Sequence, residues 1–340
     1  MVRRVFVSGA DGFIGAAVAR HLRAAGIAVV KGRRAATVTE AEAVAYGDLR
    51  APTADWDAGL VGCDGFVHAA GLAHRRGTGA AEAMAVNRDG AARLARAARL
   101  AGVARFVLIS SAGVHGRALA APISETSPIA PPDDYAASKS AGEAAVAAEL
   151  SGSATALAVV RQTAVIGPGC PGNLNLLMRA IQAGVPLPLG AIRNRRSFVT
   201  IGPLCALIAL CLSEPAAEGE TFLAADAAPI ATPDVVRALA EGLGRPTRLV
   251  PLVPSLLAGI GRALGREAMM QSLIGDFVVD AARARTHLGW VPAADSLEGL
   301  RATACAWVRQ RNGRNTGAGP ASSPGAAGGG AAASSTGAAR

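Results

Sequence analysis

The sequence predicts an α/β fold, a doubly wound parallel sheet followed by a smaller, mostly helical C-terminal region, and three observations carry that expectation. Strand-like and helix-like segments alternate from the first residues. A glycine-rich turn separates the first strand from the first helix. Further on, glycines and prolines gather between Gly167 and Gly172 and mark a change of texture.

Taken in order, Arg4-Val5-Phe6-Val7 reads as a strand, 14–25 as a helix and Ala28-Val29-Val30 as the next strand. Strand 65–68, helix 81–100 and strand 106–109 repeat the unit, and a long helix over about 135–150 precedes an apolar strand at 155–160. This βαβ succession makes 1–168 mainly one α/β region. The second region, 169–311, interleaves with it and holds helix 173–183, strand Ser197-Phe198-Val199, a helix through Leu212, strand Thr221-Phe222-Leu223, helix 233–242 and a last helical part. From Asn312 to the end the chain is Gly, Ala, Ser, Pro and Thr with little to bury, so 312–340 is expected to be a disordered tail.

Composition narrows the class. With 340 residues, 51% of them hydrophobic, the chain can bury one large core or two coupled ones. The N-terminus runs straight into a strand without the apolar segment of a signal peptide, which predicts a cytoplasmic protein. The apolar stretches 204–212 and 252–264 are shorter than the ~20 residues of a membrane span and read as core helices. Cys63, Cys170, Cys205, Cys211 and Cys305 are scattered without a Cys-x-x-Cys pair, so neither disulfides nor a metal site is expected. The net charge of +9 comes from arginines dispersed along alanine-rich helices, without a basic-aromatic module. That argues against nucleic acid and leaves an anionic small molecule as the beneficiary of the positive field.

Gly9-Ala10-Asp11-Gly12-Phe13-Ile14-Gly15 lies where a strand passes into a helix, the place at which backbone can approach a pyrophosphate and present a helix N-terminus to it. Gly9, Gly12 and Gly15 are the expected dinucleotide contacts, and Phe13 and Ile14 belong to the same loop with their side chains in packing roles. The second strand ends in Lys31-Gly32-Arg33-Arg34, where a carboxylate for the ribose hydroxyls of NAD is missing. Arg33 and Arg34 instead suit a ribose 2′-phosphate, which favours NADP(H) over NAD(H). Asp48-Leu49 offers a carboxylate to the adenine amino group, and Ala69, Ala70 and Gly71 are small enough for a cofactor to lie against the backbone.

Ser111 ends a strand, and Tyr135 and Lys139 lie four apart on one helical face. A phenol of ordinary pKa near ~10 needs a neighbouring ammonium to work near neutrality, and Lys139 is expected to supply it. Ser111 would hold a carbonyl or hydroxyl oxygen while Tyr135 gives or takes its proton. In combination with the loop, these residues predict redox chemistry on a Rossmann-type scaffold.

The chain resembles the extended short-chain dehydrogenases/reductases, the group of nucleotide-sugar epimerases, dehydratases and reductases. Beyond the residues above, the resemblance includes His68-Ala69-Ala70, Val86-Asn87-x-x-Gly90, Arg161 before Gly167-Pro168-Gly169, Arg196-Ser197-Phe198-Val199 and Leu288-Gly289-Trp290-x-Pro292. It implies that Asn87 lies at the cofactor, that Asn173 approaches the sugar or phosphate of a UDP-sugar, and that Arg196 meets its diphosphate; it allows a homodimer. The basic run Arg193-Asn194-Arg195-Arg196 agrees with the diphosphate role, chiefly for Arg196. Dehydratases of the group carry an Asp-Glu pair where this chain has Ala112-Gly113, so loss of water lacks its acid and base. His115 stands where tyrosine is common and reads equally as a pocket or a packed residue. Segments 171–174 and 187–197 are similar to bacterial reductases that turn UDP-4-keto-6-deoxy-N-acetylhexosamines into UDP-N-acetylquinovosamine for surface polysaccharides. Reduction at C4 is therefore the leading expectation, with UDP-hexose 4-epimerisation on a retained NAD second. A non-catalytic NADP-binding sensor or scaffold is a third, disfavoured by the presence of both Tyr135 and Lys139.

Overall fold

The computed structural model describes residues 2–34, 43–45, 47–50, 57–72, 79–116, 121–265, 267–293 and 295–315. In the first half the elements are β1 (Arg4–Ser8), α1 (Phe13–Ala24), β2 (Ala28–Arg33), β3 (Ala43–Ala45), α2 (Asp57–Leu60), β4 (Gly65–His68), α3 (Ala80–Met84), α4 (Ala91–Leu100), β5 (Arg105–Ser111) and α5 (Asp134–Leu150). The second half adds β6 (Ala156–Gln162), β7 (Ala164–Ile166), α6 (Asn173–Gln182), β8 (Phe198–Thr200), α7 (Ile201–Ser213), β9 (Thr221–Ala224) and α8 (Thr232–Gly242). The chain then forms α9 (Pro254–Ala263), α10 (Glu267–Ile274), α11 (Ala282–Leu288) and α12 (Ser296–Asn315).

Seven strands form one parallel sheet in the order β3-β2-β1-β4-β5-β6-β9, and β7 pairs with β8 in a small second sheet. The apolar runs of these strands follow from burial on both faces. Val5 and Val7 join Val18, Leu22 and Leu207 on one side, while Phe6, one residue out of phase, joins Phe66, Phe106 and Leu94 on the other. Across that second face the rings of Phe6 and Phe66 are 5.0 Å apart and those of Phe66 and Phe106 are 4.8 Å apart. A third core under β7 and β8 gathers Met178, Val236, Leu239 and Leu300 from α6, α8 and α12. The expected α/β sheet with helices around it is what the chain forms.

The helix expected over 81–100 is present but interrupted, because Ala85–Gly90 widens into a π turn between α3 and α4. The turn lets Asn87 point inward. Of the two apolar stretches, 204–212 lies in α7 and is a core helix, with Leu204, Leu207, Ile208, Cys211 and Leu212 all buried. The expectation for 252–264 is corrected: α9 buries Leu257 and Gly261 and leaves Leu256 53% and Ile260 43% exposed. Its apolar residues are spread around the helix, and one face alone reaches the core. No helix among the described residues is long and apolar enough to cross a membrane. Helix α12 continues to Asn315, with the Arg311 guanidinium over the Trp307 ring at 4.6 Å, and the rest of the expected tail lies outside the described residues.

Candidate active site

The strand order reverses beside β1, which has β2 on one side and β4 on the other, and ligands of open α/β sheets bind at such a switch point. The glycine loop lies there. Gly9 has a φ of +68°, and a Cβ on it would come 2.7 Å from the Ala70 nitrogen, so loop and β4 end meet as bare backbone. A Cβ on Gly15 would lie 2.2 Å from the Gly9 carbonyl oxygen, which lets α1 start directly under the loop. Gly12 is the N-cap of α1, with no side-chain cap and no acidic residue in the first turn. Amide donors and the positive end of the helix are thus left for an anion, which fits a dinucleotide pyrophosphate. Ile14 packs against the core, and the Phe13 ring edge is 3.2 Å from the Cβ position of Gly167. Both have the packing roles expected of them.

At the end of β2 the basic turn is not what its residue types suggest. The Arg33 guanidinium is 2.8 Å from the carboxylate of Asp11, a residue of the glycine loop itself. Arg34 is exposed. Asp48, expected to meet an adenine, accepts from Arg50 Nε at 2.8 Å and from the Arg50 backbone at 2.9 Å. Those two bonds hold its carboxyl below the ordinary range, and the positive charge of Arg34 adds to the effect. Leu49 is buried under Gly90.

One buried side chain organises the small residues after β4. Asn87 accepts from the Leu72 amide at 2.8 Å and donates to the Leu72 carbonyl at 3.0 Å and to Ser138 Oγ at 2.9 Å. It thereby joins the strand-end segment to α5. The Cβ position of Gly71 is 3.1 Å from Asn87 Oδ1 and 3.9 Å from Lys139 Nζ, so Lys139 reaches the same recess.

Helix α5 is started by Asp133, whose carboxylate accepts from the Ala136 amide at 2.9 Å. Tyr135 follows in its first turn and is hydrogen-bonded to Ser111. Ser111 Oγ also accepts from the Gly113 amide at 3.1 Å, which fixes its rotamer at the end of β5. Lys139 Nζ donates to the Ile109 carbonyl at 2.5 Å. Burial pushes the Tyr135 phenol up to about 12, helped by the charge of Asp133 and opposed by the Ser111 hydrogen bond. Burial lowers Lys139 to about 8, against the stabilising charge of Glu143. In the free protein the phenol is thus shifted up, where the pairing with Lys139 predicts a shift down: desolvation of the ring is the largest cause.

Behind these residues lies a buried polar chain. Glu143 Oε2 accepts from Arg161 Nη2 at 2.6 Å, and its other oxygen accepts from Ser110 Oγ. Arg161 Nη1 is 3.0 Å from His115 Nε2, and His115 Nδ1 is 2.9 Å from the Ser127 carbonyl. A guanidinium can only donate, so Nε2 accepts and Nδ1 carries the proton. His115 is fully buried and neutral, and burial lowers its pKa. It is a packed histidine. Glu143 escaped the sequence reading, although Tyr135, Lys139 and Glu143 recur at four-residue spacing on one helical face.

The residues expected at the sugar and diphosphate come from α6 and from the segment that leads into β8. Asn173 is exposed at the first position of α6. Arg196 is half-buried: its Nη1 donates to the Gly275 carbonyl at 3.0 Å and its guanidinium lies 5.7 Å from the Phe277 ring. Burial lowers its pKa. Arg193 and Arg195 are exposed and line an open depression of about 500 Å³ with Arg237. Trp290, in one of the segments that carry the resemblance, is a core residue that donates to the Pro203 carbonyl at 3.0 Å.

Residues 5–225 match the model of the NAD dependent epimerase/dehydratase family. The chain belongs to that family. Over 321 residues it is 32% identical to the UDP-glucose 4-epimerase of Vibrio cholerae, covering 92% of this chain and 98% of that one. MoeE5, solved in complex with UDP-glucose and NAD, is 25% identical with a TM-score of 0.74, the match covering 91% of this chain and 99% of that one. The Bordetella bronchiseptica enzyme WbmG, solved with NAD and UDP, shares the fold at 22% identity and a TM-score of 0.72, over 91% of this chain and 96% of that one. The expectation of an NAD(P)-dependent nucleotide-sugar enzyme is met at the level of the epimerase/dehydratase family.

Proposed function

We propose that this family member reduces the 4-keto group of a UDP-4-keto-6-deoxy-N-acetylhexosamine, a step that makes a sugar for surface polysaccharide. The observation that carries the reading is the placement of Ser111 at the end of β5 and of Tyr135 and Lys139 on one face of α5, where Lys139 Nζ reaches back to the Ile109 carbonyl of β5 at 2.5 Å. A carbonyl oxygen set against Ser111 Oγ and Tyr135 Oη receives two hydrogen bonds, and Tyr135 gives up its proton as negative charge develops there. The Lys139 ammonium favours the phenolate left behind. NADH or NADPH, held by the glycine loop and the 69–71 segment, supplies the hydride when bound. With Ala112 and Gly113 beside Ser111, no carboxylate stands there to eliminate water. Asn173 and Arg196 remain our candidates for the sugar and the diphosphate. Arg34 supports NADP(H), whereas Asp11 at Arg33 and the NAD found in related structures support NAD(H).

Similarity to the Vibrio cholerae enzyme over nearly the whole of both chains favours a second reading, 4-epimerisation of a UDP-hexose. Such a reaction starts by drawing a proton from an alcohol, with Tyr135 as the base and Lys139 beside it on α5. One assay separates the two. Purified protein given a UDP-4-keto-6-deoxy sugar should oxidise NADPH or NADH and yield the 4-hydroxy product. Interconversion of UDP-glucose and UDP-galactose without added cofactor, and no oxidation with the keto sugar, would replace reduction by epimerisation.

A pH profile tests the role of Lys139. Its pKa is depressed to about 8, so the ammonium is present below that value and lost as pH rises through it. The kcat/KM for reduction is therefore expected to fall on the alkaline side of about pH 8. Initial rates that stay level up to about pH 10 would remove the Lys139 charge from the proton step.

A further inference from the structure

The carboxylate that the end of β2 lacks is supplied by the neighbouring loop. The Ala10 amide donates to the Gly32 carbonyl at 3.1 Å, which ties the glycine loop to β2 through the main chain. Asp11 and Arg33 are the next residues on the two sides of that bond, and their side chains meet at 2.8 Å. Their pairing is thus set by backbone contact and does not depend on two long side chains finding each other across a surface. Both remain partly exposed, 53% for Asp11 and 29% for Arg33, so a ligand at the end of β2 can reach them.

We infer that Asp11 sets which dinucleotide this protein accepts, by engaging Arg33 against a ribose 2′-phosphate and offering the ribose hydroxyls of NAD(H) an acceptor. The inference rests on the reading of the glycine loop as a dinucleotide site. A 2′-phosphate that approaches Arg33 meets the Asp11 carboxylate as a like charge and must displace it to gain the guanidinium. A ribose hydroxyl is a neutral donor and can fill the remaining lone pairs of that carboxylate while Arg33 holds it in place. Arg34, the other arginine of the turn, is exposed, and its charge adds to that of Arg50 in lowering the Asp48 carboxyl. The turn that reads as basic in sequence is thus a place of paired charges, and one of the acids comes from a different loop.

The test is direct binding, with NADH and NADPH titrated separately and followed by their fluorescence at fixed, low ionic strength. In Asp11→Asn, NADPH should bind about tenfold more tightly than in the wild type and NADH several-fold more weakly. Arg33→Ala in the Asp11→Asn background should abolish the gain in NADPH affinity, and in the wild-type background should change it far less, a coupling the double-mutant cycle reads out. An exposed pair of this kind adds little to stability, so thermal unfolding should be unchanged in Asp11→Asn. If both dinucleotides bind and their affinity ratio is the same in wild type and Asp11→Asn, the role given to Asp11 is wrong while the dinucleotide site stands. If neither binds the wild-type protein, the site and the inference fall together.

Discussion

Turnover of the keto sugar should fall about a thousandfold in Tyr135→Phe while the affinity for NADH or NADPH stays at its wild-type value. The substitution removes one oxygen. What it takes from the site is the proton donor and the partner of Ser111, whereas the ring, α5 and the Lys139 bond to the Ile109 carbonyl remain. Ser111 keeps its rotamer, because its bond from the Gly113 amide does not involve the phenol. A positioned acid contributes on the order of 10²–10⁴ in rate, so a loss in that range is what a single proton donor predicts. Binding measured by fluorescence titration and single-turnover oxidation of the cofactor would report the two halves separately. A variant with normal turnover would sink the mechanism, and a wild type that binds the cofactor with no turnover on any UDP-sugar would revive the sensor reading.

Much of this arrangement is readable in sequence, for a physical reason. Gly9, Gly12 and Gly15 are fixed by close backbone approach, and Val5, Phe6 and Val7 by burial on both faces of a sheet; both are local requirements that residue type alone satisfies. Ser111, Tyr135 and Lys139 are legible because a strand end and one helical face bring them together. What escapes reading depends on the third dimension. Arg33 looks like a phosphate ligand until Asp11, 22 positions earlier, is seen beside it. Asn87 sits in what reads as an unbroken helix, and its inward direction comes from a π turn. The direction of the Tyr135 shift was missed because the pattern of residues shows the ammonium nearby but not how far the ring is removed from water. The apolar run of α9 suggested a core helix, yet composition does not say whether anything covers its second face.

The buried chain behind the site predicts the largest loss of stability. Arg161→Met should destabilise the fold by about 3–5 kcal/mol, because it strands a carboxylate that the surroundings cannot solvate. The Glu143 and Arg161 side chains are each 11% exposed, and the pair joins α5 to β6 while Ser110 adds β5. His115 would also lose the donor to its Nε2. The remedy for a stranded charge is to remove it, so Glu143→Gln combined with Arg161→Met should recover a large part of the loss, and denaturant unfolding of the two single variants and the double variant measures this directly. A deficit that the double variant leaves intact would mean that Arg161 acts through packing alone; recovery in the double variant would identify the stranded Glu143 charge as the source of the loss.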